Sequence, residues 1–516
     1  MNEKELGAFY TPVELVEYMV SYAQDRHINK RVLEPSAGDG RFVKKLLSEG
    51  MSVTMVELDA EKCSKLEATY GHVCSIFQGD FINYSLSHEE GYDLVIGNPP
   101  YIAKKNMTED AYDAAKQIVE HYQLDKAVLQ NEWVAFVLSS VKLLSSDGAI
   151  YFVLPFEFLQ VQYAEKLRAF LESRFNTIEI VTFEERVFKD IEQDICLVFL
   201  ANEKEAKPYI RYRTLFSVNN PLITLDSVIM RNKPLKKWSN CILNDFETER
   251  LLSLANTYRR IGEYGDISPG IVTGANSFFL IPYIHAKKME IDEKQILPVV
   301  AKSSLIPPML VFHKEDFALL YDEKKRTHLL NLSGVGKERL SDQLVQYLAA
   351  GEKEGIDDGY KCRNRKNWYE VPVVETGDVC FFKRYSVLPR MLVNCDKLHT
   401  TDICYNIRLK DKIDPASFAF SFYNSLTLAL CEYHGRFYGG GVGELVPSEF
   451  KSIAIPYRHI EEGAIQYLDK AFRENKSLED IIDYVDRIVL NEMDRSDVNL
   501  LQAIRKRYLR RRLHEC

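Results

Sequence analysis

The 516-residue sequence has no long hydrophobic run. No stretch approaches the about 20 apolar residues that a membrane-spanning helix needs. The N-terminal residues Met1-Asn2-Glu3-Lys4-Glu5 provide neither the basic nor the apolar region of a secretion signal. An apolar content of 46% and a charged content of 27% are typical of a globular protein in water. These features predict a cytoplasmic protein with no membrane partner.

The sequence also has no closely paired cysteines. Its ten cysteines are scattered, and no two of them form a Cys-x-x-Cys pair. Such spacing indicates neither a zinc ribbon nor a disulfide framework. We therefore expect reduced thiols that mostly lie in the core, and no bound metal.

Positive charge is scarce overall but is unevenly distributed. The net charge of −9 argues weakly against a nucleic-acid partner, yet binding depends on local charge. Residues 361–410 contain ten Lys or Arg against five Asp or Glu, and residues 505–512 contain six basic residues and no acidic one. We interpret the second segment first as a solvated helix face and second as a DNA-contacting segment.

Residues 31–200 alternate short apolar runs with amphipathic stretches, which predicts an α/β fold with a parallel sheet covered by helices. The expected domain is Rossmann-like and seven-stranded. The predicted strands are Arg31–Glu34, Val53–Glu57, Val73–Gln78, Tyr92–Ile96, Ala149–Leu154, Thr177–Thr182 and Asp194–Leu200.

The tetrapeptide Asn98-Pro99-Pro100-Tyr101 directly follows the fourth predicted strand. The Asn98 side-chain oxygen and the Pro99 carbonyl could each accept one hydrogen of an exocyclic amino group, and Tyr101 offers a ring on which a planar base could stack. This arrangement suits a nitrogen that must act as a nucleophile. The alternative is a strand end followed by a Pro-Pro turn.

Other candidate site residues follow the first three strands. In a doubly wound sheet, ligands bind outside the carboxyl ends of the strands, so these residues should converge on one crevice. Glu57 could accept both hydroxyls of a ribose, and Asp80 could accept from an adenine amino group. The candidate cofactor-binding residues in this region are Glu34, Ser36, Ala37, Gly38, Gly40, Glu57, Asp80, Phe81 and Asn98.

The glycine pattern limits the kind of cofactor. The loop has no Gly-Lys-Ser/Thr, which disfavours a phosphate-binding loop, and Val43 stands where a dinucleotide fingerprint needs its third glycine. A cofactor with a ribose and an adenine but no phosphate fits better. S-adenosylmethionine is such a molecule.

These residues resemble the γ-class N6-adenine DNA methyltransferases of type II restriction–modification systems. The resemblance begins at Gly7-Ala8-Phe9-Tyr10-Thr11-Pro12, continues through the cofactor series and the tetrapeptide, and ends at Val187-Phe188. It implies that Thr11, next to Tyr10, helps to hold the methionine carboxylate of S-adenosylmethionine. It also implies that Phe188 helps to sandwich the target base; an ordinary core phenylalanine is the alternative.

After about residue 215 the alternation of strands and helices gives way to short, irregular strands, and the loop-like Val218-Asn219-Asn220-Pro221 suggests a domain boundary. Together with the resemblance, this predicts a methyltransferase domain at residues 1–215, a linker at 216–240 and a mixed α+β target-recognition domain with a helical C-terminal segment at 241–516. Segments 269–276 and 438–442 resemble parts of such recognition domains, or are structural turns. Basic and aromatic residues are interleaved in this half in a way that suits contact with DNA; the alternative is an ordinary solvated surface over an aromatic core. They are Lys361, Arg363, Arg365, Lys366, Lys383, Arg384, Arg390, Trp368, Tyr369, Phe381, Phe382 and Tyr385.

The expected reaction is methyl transfer to N6 of an adenine flipped out of double-stranded DNA. The enzyme is expected to act on DNA as a monomer, either alongside a cognate restriction endonuclease or as an orphan. The segment Ala103–Gln130, which carries Lys104, Lys105 and Lys126, is expected to face the duplex. One alternative is an amino methyltransferase acting on protein glutamine or on RNA. Another is a bifunctional restriction enzyme, which is disfavoured because the motif beginning at Gly7 leaves no room for a preceding nuclease.

Overall fold

The computed structural model describes residues 10–26, 28, 30–89, 91–188, 193–232, 234–318 and 325–514. Gly7, Ala8 and Phe9, where the resemblance to an N-terminal motif begins, lie outside the described residues. The chain divides into two compact units. Unit 1 contains the described residues of Met1–Glu249, Arg436–Gly441 and Arg507–Cys516, and unit 2 contains those of Arg250–Gly435 and Val442–Lys506.

Unit 1 is built on a nine-stranded sheet in the order β3-β2-β1-β4-β5-β7-β6-β8-β9. Strands β1 to β5 pair in parallel, whereas β7 is antiparallel to both of its neighbours. Strands β6 and β7 are buried throughout, as expected for apolar runs covered on both faces. The strands are β1 (Arg31–Glu34), β2 (Ser52–Glu57), β3 (Ser75–Gln78), β4 (Tyr92–Gly97), β5 (Leu144–Pro155), β6 (Thr177–Phe183), β7 (Ile195–Ala201), β8 (Tyr209–Leu215) and β9 (Ile223–Met230).

Helices connect the parallel strands and bury their apolar faces against the sheet. Leu15, Val16, Met19 and Val20 of the first helix join the buried core formed with residues of β1, β2, β4 and β5. The first seven α-helices are α1 (Val13–Asp25), α2 (Arg41–Ser48), α3 (Ala60–Tyr70), α4 (Phe81–Ser87), α5 (Glu109–His121), α6 (Trp133–Leu143) and α7 (Glu165–Arg174). The next helix is α8 (Asp245–Asn256).

The sheet has two strands more than the seven predicted. Strand β8 pairs in parallel with β6, and β9 pairs antiparallel with β8. Val218-Asn219-Asn220-Pro221, which suggested a domain boundary, lies in the connection between β8 and β9. The span predicted as a linker, 216–240, therefore contributes β9 and the fully buried Trp238 to unit 1.

Unit 2 contains a five-stranded sheet in the order β10-β19-β15-β17-β13 and a four-stranded sheet in the order β11-β14-β12-β18. Strands β16 and β21 form a further antiparallel pair. The remaining strands are β10 (Gly265–Pro269), β11 (Leu280–Pro282), β12 (Ile296–Val300), β13 (Val311–Phe312), β14 (Arg326–Leu330), β15 (Val379–Phe382), β16 (Arg384–Tyr385), β17 (Arg390–Asn394), β18 (His399–Thr400), β19 (Cys404–Leu409), β20 (Arg436–Tyr438, in unit 1) and β21 (Val442–Glu444).

The later helices include the predicted helical C-terminal segment. They are α9 (Asn276–Phe279), α10 (Tyr283–Lys288), α11 (Lys314–Ala318), α12 (Asp342–Lys353), α13 (Tyr360–Arg363), α14 (Pro415–Phe422), α15 (Ser425–His434), α16 (Pro447–Lys451), α17 (Glu462–Arg473), α18 (Leu478–Val489) and α19 (Arg495–Leu513). Among the described residues, no helix combines the length and the apolar character that crossing a membrane requires.

Candidate active site

The predicted site residues of the first four strands lie at one edge of the unit 1 sheet. Strands β3, β2, β1 and β4 are adjacent and parallel, so their carboxyl ends meet there. Glu34 ends β1, Glu57 ends β2, and Asn98 directly follows β4. Asp80 comes two residues after β3. The topology therefore gathers the predicted cofactor residues and the tetrapeptide along a single edge.

A glycine loop joins β1 to α2. Its backbone is fixed to β2, because the Ala37 amide donates to the Val56 carbonyl at 3.1 Å and the Gly38 amide donates to Glu57 Oε2 at 2.6 Å. Gly38 and Gly40 have φ angles of +58° and +79°, which side-chain-bearing residues rarely adopt. A Cβ at Gly40 would lie 2.8 Å from Leu66 Cδ2. The positive φ angles favour glycine at both positions, and at Gly40 a side chain would also force Leu66 to move.

Two carboxyl groups stand at the base of this loop. Glu34 is 2% exposed, and its Oε2 has no hydrogen-bond partner among the described residues. Burial, together with the negative charges of Asp39 and Glu57, raises the pKa of Glu34 well above its usual range. Glu57 accepts hydrogen bonds from the Gly38 and Asp59 amides, and each of its oxygens keeps a further lone pair. An unpartnered buried oxygen beside a glycine cradle fits a ligand rich in hydrogen-bond donors.

Tyr10 and Thr11 contact cationic side chains of unit 1. The Arg41 guanidinium and the Lys62 ammonium each lie 5.3 Å from the centre of the Tyr10 ring. Arg41 also donates to the Thr11 carbonyl at 2.9 Å. The Tyr10 ring approaches the glycine loop, since its Cε1 lies 3.8 Å from the position of a Cβ at Gly38. This corner thus presents two cationic side chains, of which Arg41 is also paired with Asp39 at 2.8 Å.

Asp80 and Phe81 begin α4. The Asp80 side chain caps the helix by accepting from the Asn83 amide at 2.8 Å, and burial raises the pKa of this carboxyl. Phe81 is buried and packs against Phe136 of α6 with ring centres 5.0 Å apart. Together, the glycine cradle, the Glu34 oxygen, the cations at Tyr10 and this half-buried Asp80 match the polar groups of S-adenosylmethionine.

Hydrogen bonds connect residues of the tetrapeptide to one another, to β5 and to the glycine loop. The Tyr101 hydroxyl lies 3.0 Å from Asn98 Oδ1 and 3.1 Å from the Val153 carbonyl, both of which can accept its proton. Ser36 Oγ donates to the Asn98 carbonyl at 3.1 Å. Burial raises the pKa of Tyr101 well above its usual range, so this hydroxyl stays protonated. The sequence suggested only a stacking role for Tyr101 and missed its contact with Asn98.

Pro99 is buried, and Phe188 lies half-buried at the margin of the unit 1 core beside Val187. The four residues after Phe188 that would complete its loop lie outside the described residues. Its packing is compatible both with a wall of the base pocket and with the core role that we kept as the alternative.

The basic and aromatic residues of unit 2 differ from the expectation of a mixed DNA-contacting surface. Tyr369, Phe381, Phe382 and Tyr385 are buried in the core, because their strands and loops pack on both faces. Arg365 donates to the carbonyls of segment 272–273 and of Trp368, and Arg390 donates to carbonyls of segment 303–307. Half-buried Lys383 lies 3.7 Å from Asp402. Among these basic residues, the exposed ones are Lys361, Arg363, Lys366 and Arg384.

The basic C-terminal segment is not the solvated helix face that we predicted. Arg505, Arg511 and Arg512 of α19 are buried. Within unit 1, Arg511 lies 2.9 Å from Asp194 and 4.5 Å from the centre of the Phe156 ring. The Arg512 guanidinium donates to the Gly441 carbonyl at 2.6 Å. Half of the six basic residues are therefore buried. The periodicity and the charge of the sequence do not reveal this burial.

Sequence reasoning also missed Glu132, the residue before α6. Glu132 is only 7% exposed. Burial and the negative charge of Asp80 raise the pKa of the Glu132 carboxyl to about 7. The signal in the sequence was a charged residue immediately before an unbroken apolar run.

Two family models match the chain. One, described as Eco57I restriction-modification methylase, matches residues 44–188. The other, described as Type II methyltransferase M.Eco57I, C-terminal domain, matches residues 235–490. The first match begins within α2, just after the glycine loop, and ends at Phe188, and the second covers most of the chain after β9.

Several known proteins are similar to this chain along most of their length. The chain is 22% identical to the Type II methyltransferase M.AccI of Acinetobacter calcoaceticus, covering 95% of this chain and 94% of that protein. It is 22% identical to the Type II methyltransferase M.XamI of Xanthomonas campestris pv. amaranthicola, covering 87% and 85% respectively. The solved structure of the Type IIL restriction-modification enzyme MmeI in complex with DNA matches with a TM-score of 0.60 and 12% identity, over 98% of this chain and 80% of that one.

Proposed function

Because the chain is a type II restriction–modification methylase that uses S-adenosylmethionine and acts on DNA, we propose that it methylates N6 of an adenine flipped out of the duplex. The observation that carries the choice of an amino group is the position of Asn98. Its side-chain oxygen is held by the Tyr101 hydroxyl at 3.0 Å, at the carboxyl end of β4 and next to the cofactor edge. Pro99, whose carbonyl is the second acceptor, follows it in the chain.

In this proposal the cofactor residues act as the sequence suggested. Glu57 accepts from the ribose hydroxyls, Asp80 from the adenine amino group, and Phe81 lines the adenine subsite. Tyr10 and Thr11, with the neighbouring cations, hold the methionine carboxylate. The loop that contains Ser36, Ala37, Gly38 and Gly40 lies against the ligand, and Glu34 lies at the base of this loop. When bound, S-adenosylmethionine supplies an electrophilic methyl group on a sulfonium.

The task of the tetrapeptide is to make a poor nucleophile reactive. The N6 lone pair of adenine is delocalised into the ring. If Asn98 Oδ1 and the Pro99 carbonyl accept the two N6 hydrogens, the nitrogen is drawn towards tetrahedral geometry and its lone pair is directed out of the ring plane. Tyr101 fixes the Asn98 oxygen before the base arrives, so less reorganisation is needed at the reacting centre. Proton loss can follow transfer, and no strong general base is required.

The base must leave the helix to reach this edge, at a cost of a few kcal/mol in lost stacking and pairing. Stacking on an aromatic side chain such as Phe188 recovers about 1–3 kcal/mol, which offsets part of that cost but supplies no sequence choice. We assign sequence choice to residues 241–516 as a target-recognition domain and methyl transfer to residues 1–215. A match of residues 235–490 to a type II methyltransferase C-terminal domain supports this division. We further propose that the enzyme acts as a monomer with a separate cognate endonuclease.

The product of the reaction tests this proposal. The purified protein is incubated with methyl-labelled S-adenosylmethionine and genomic DNA from a strain without adenine methylation, and the hydrolysed nucleosides are separated. Label in N6-methyldeoxyadenosine is expected. Label in N4-methyldeoxycytidine, or in a glutamine of an added protein extract but not in DNA, would refute it. Magnesium-dependent DNA cleavage by the same preparation would favour the bifunctional alternative.

A further inference from the structure

Glu132 lies where the tetrapeptide segment meets the start of α6. Its backbone amide donates to the Ile102 carbonyl at 2.9 Å, and the Lys104 amide donates to the Gln130 carbonyl at 2.9 Å. Ala103 and Asn131 form an antiparallel bridge between these two contacts. The chain leaving the tetrapeptide is therefore fixed along residues 130–132. Glu132 thus belongs to the same edge of unit 1 as the tetrapeptide.

Asp80 occupies the equivalent position on the neighbouring helix. Helices α4 and α6 pack together through the Phe81 and Phe136 rings, 5.0 Å apart, and through Ser85 Oγ, which donates to Ser139 Oγ at 2.8 Å. Phe81 precedes Ser85 on α4, and Phe136 precedes Ser139 on α6, so the two helices run in the same direction. The residues that precede the two helices therefore lie at the same end of the pair. Asp80 precedes α4 and Glu132 precedes α6.

The surroundings of Glu132 favour its neutral acid. The carboxyl is buried, and its pKa rises to about 7 because of this burial and because Asp80 adds a like charge. The pKa of Asp80 is itself raised by burial. Asn131 adds a buried Oδ1 that has no hydrogen-bond partner among the described residues. At pH 6 the Glu132 carboxyl, with a pKa of about 7, keeps its proton, and the same end of α6 also presents the Asp80 carboxyl and an unused amide oxygen.

We propose that Glu132 and Asp80 together recognise the Watson–Crick edge of the cofactor's adenine. The Asp80 carboxylate accepts from the N6 amino group, and the Glu132 acid donates to N1. Adenine presents a donor beside an acceptor on this edge, and one protonated and one ionised carboxyl present the complementary pair. The inference rests on the proposed place of Asp80 in the adenine subsite and extends it to a second carboxyl. Glu132 then determines specificity for adenine.

Binding of product analogues tests this inference without DNA or turnover. S-adenosylhomocysteine and its 1-deaza analogue, in which N1 is replaced by C–H, are titrated calorimetrically at pH 6 into the full-length protein. One hydrogen bond to N1 predicts a preference of roughly three- to tenfold for the natural adenine in the wild type. Glu132→Gln keeps a donor and should keep the preference. Glu132→Leu removes the donor, and its two affinities should become equal.

Glu120→Gln provides a matched control, because Glu120 is an exposed residue of α5 paired with Lys126 at 2.8 Å. It should behave as the wild type. Circular dichroism and thermal unfolding establish that Glu132→Leu is folded. Equal affinity of the wild type for both analogues, or an unchanged preference in folded Glu132→Leu, would overturn the role of Glu132. Failure of the wild type to bind S-adenosylhomocysteine at all would instead overturn the proposed cofactor site together with it.

Discussion

The Glu132→Gln variant should change how the stability of the protein depends on pH. In the folded state the pKa of Glu132 is raised from 4.5 to about 7 by burial and by Asp80, the charged group that acts on it. Between these two values the folded protein holds a proton that the unfolded chain has released. The free energy of unfolding therefore falls as pH rises through this window. A difference of about 2.5 pKa units corresponds to about 3 kcal/mol, and glutamine removes this dependence because it does not titrate.

Urea unfolding of the wild type and the variant, at half-unit steps from pH 4.5 to pH 8, measures this effect. Other titrating groups are common to both proteins and largely cancel in the difference. The stability of Glu132→Gln relative to wild type should rise by about 3 kcal/mol between pH 4.5 and pH 8, and should level off above about pH 7. Glu120→Gln should show no comparable rise. A difference that does not vary with pH would refute the assignment of a buried, protonated Glu132.

Three further predictions concern other parts of the molecule. Tyr101→Phe removes the hydroxyl that contacts Asn98 Oδ1. The single-turnover methylation rate should therefore fall about tenfold, while the affinity for S-adenosylhomocysteine stays unchanged. A loss of that affinity by about tenfold would contradict this role of Tyr101. Arg511→Met removes a buried guanidinium and leaves half-buried Asp194 with only His514 nearby among the described basic residues, at 3.7 Å; it should destabilise the protein by about 3 kcal/mol in urea unfolding, an effect that adding Asp194→Asn should partly reverse. Replacing exposed Lys104 and Lys105 by alanine should weaken DNA binding and lower the slope of log affinity against log salt by about 2, whereas exposed Lys65→Ala should not.

The part of the fold that could be predicted from the sequence is the part in which local pattern decides structure. The run Leu94–Ile96 is apolar, as expected for the buried strand β4, and Asn98 stands where the chain leaves the sheet at the carboxyl end of that strand. The same logic placed Glu34 and Glu57. It failed for β8 and β9. Burial alternates along β8, and the connection that follows it contains Asn219, Asn220 and Pro221. These residues suggest a domain boundary, whereas the structure continues with β9, paired antiparallel to β8.

The rest depends on contacts between residues far apart in the chain. Phe381 and Phe382 are both buried, although consecutive residues of a strand point to opposite faces, because β15 lies between β17 and β19 in a covered sheet. Arg511 is buried because Asp194, more than three hundred positions earlier, pairs with it. The pKa of Glu132 is raised by burial and, in addition, by the charge of Asp80, which comes from a different strand end. Composition and periodicity contain no information about such pairings.

The most direct test of the central claim is to map methylated bases in DNA treated with wild-type protein and with Asn98→Ala. Both proteins are incubated with S-adenosylmethionine and unmethylated genomic DNA, the DNA is read by single-molecule sequencing, and S-adenosylhomocysteine binding confirms that the variant retains its cofactor site. We predict N6-methyladenine within one recognition sequence for the wild type and none for Asn98→Ala. Methylation of another base, or equal methylation by the two proteins, would contradict the account.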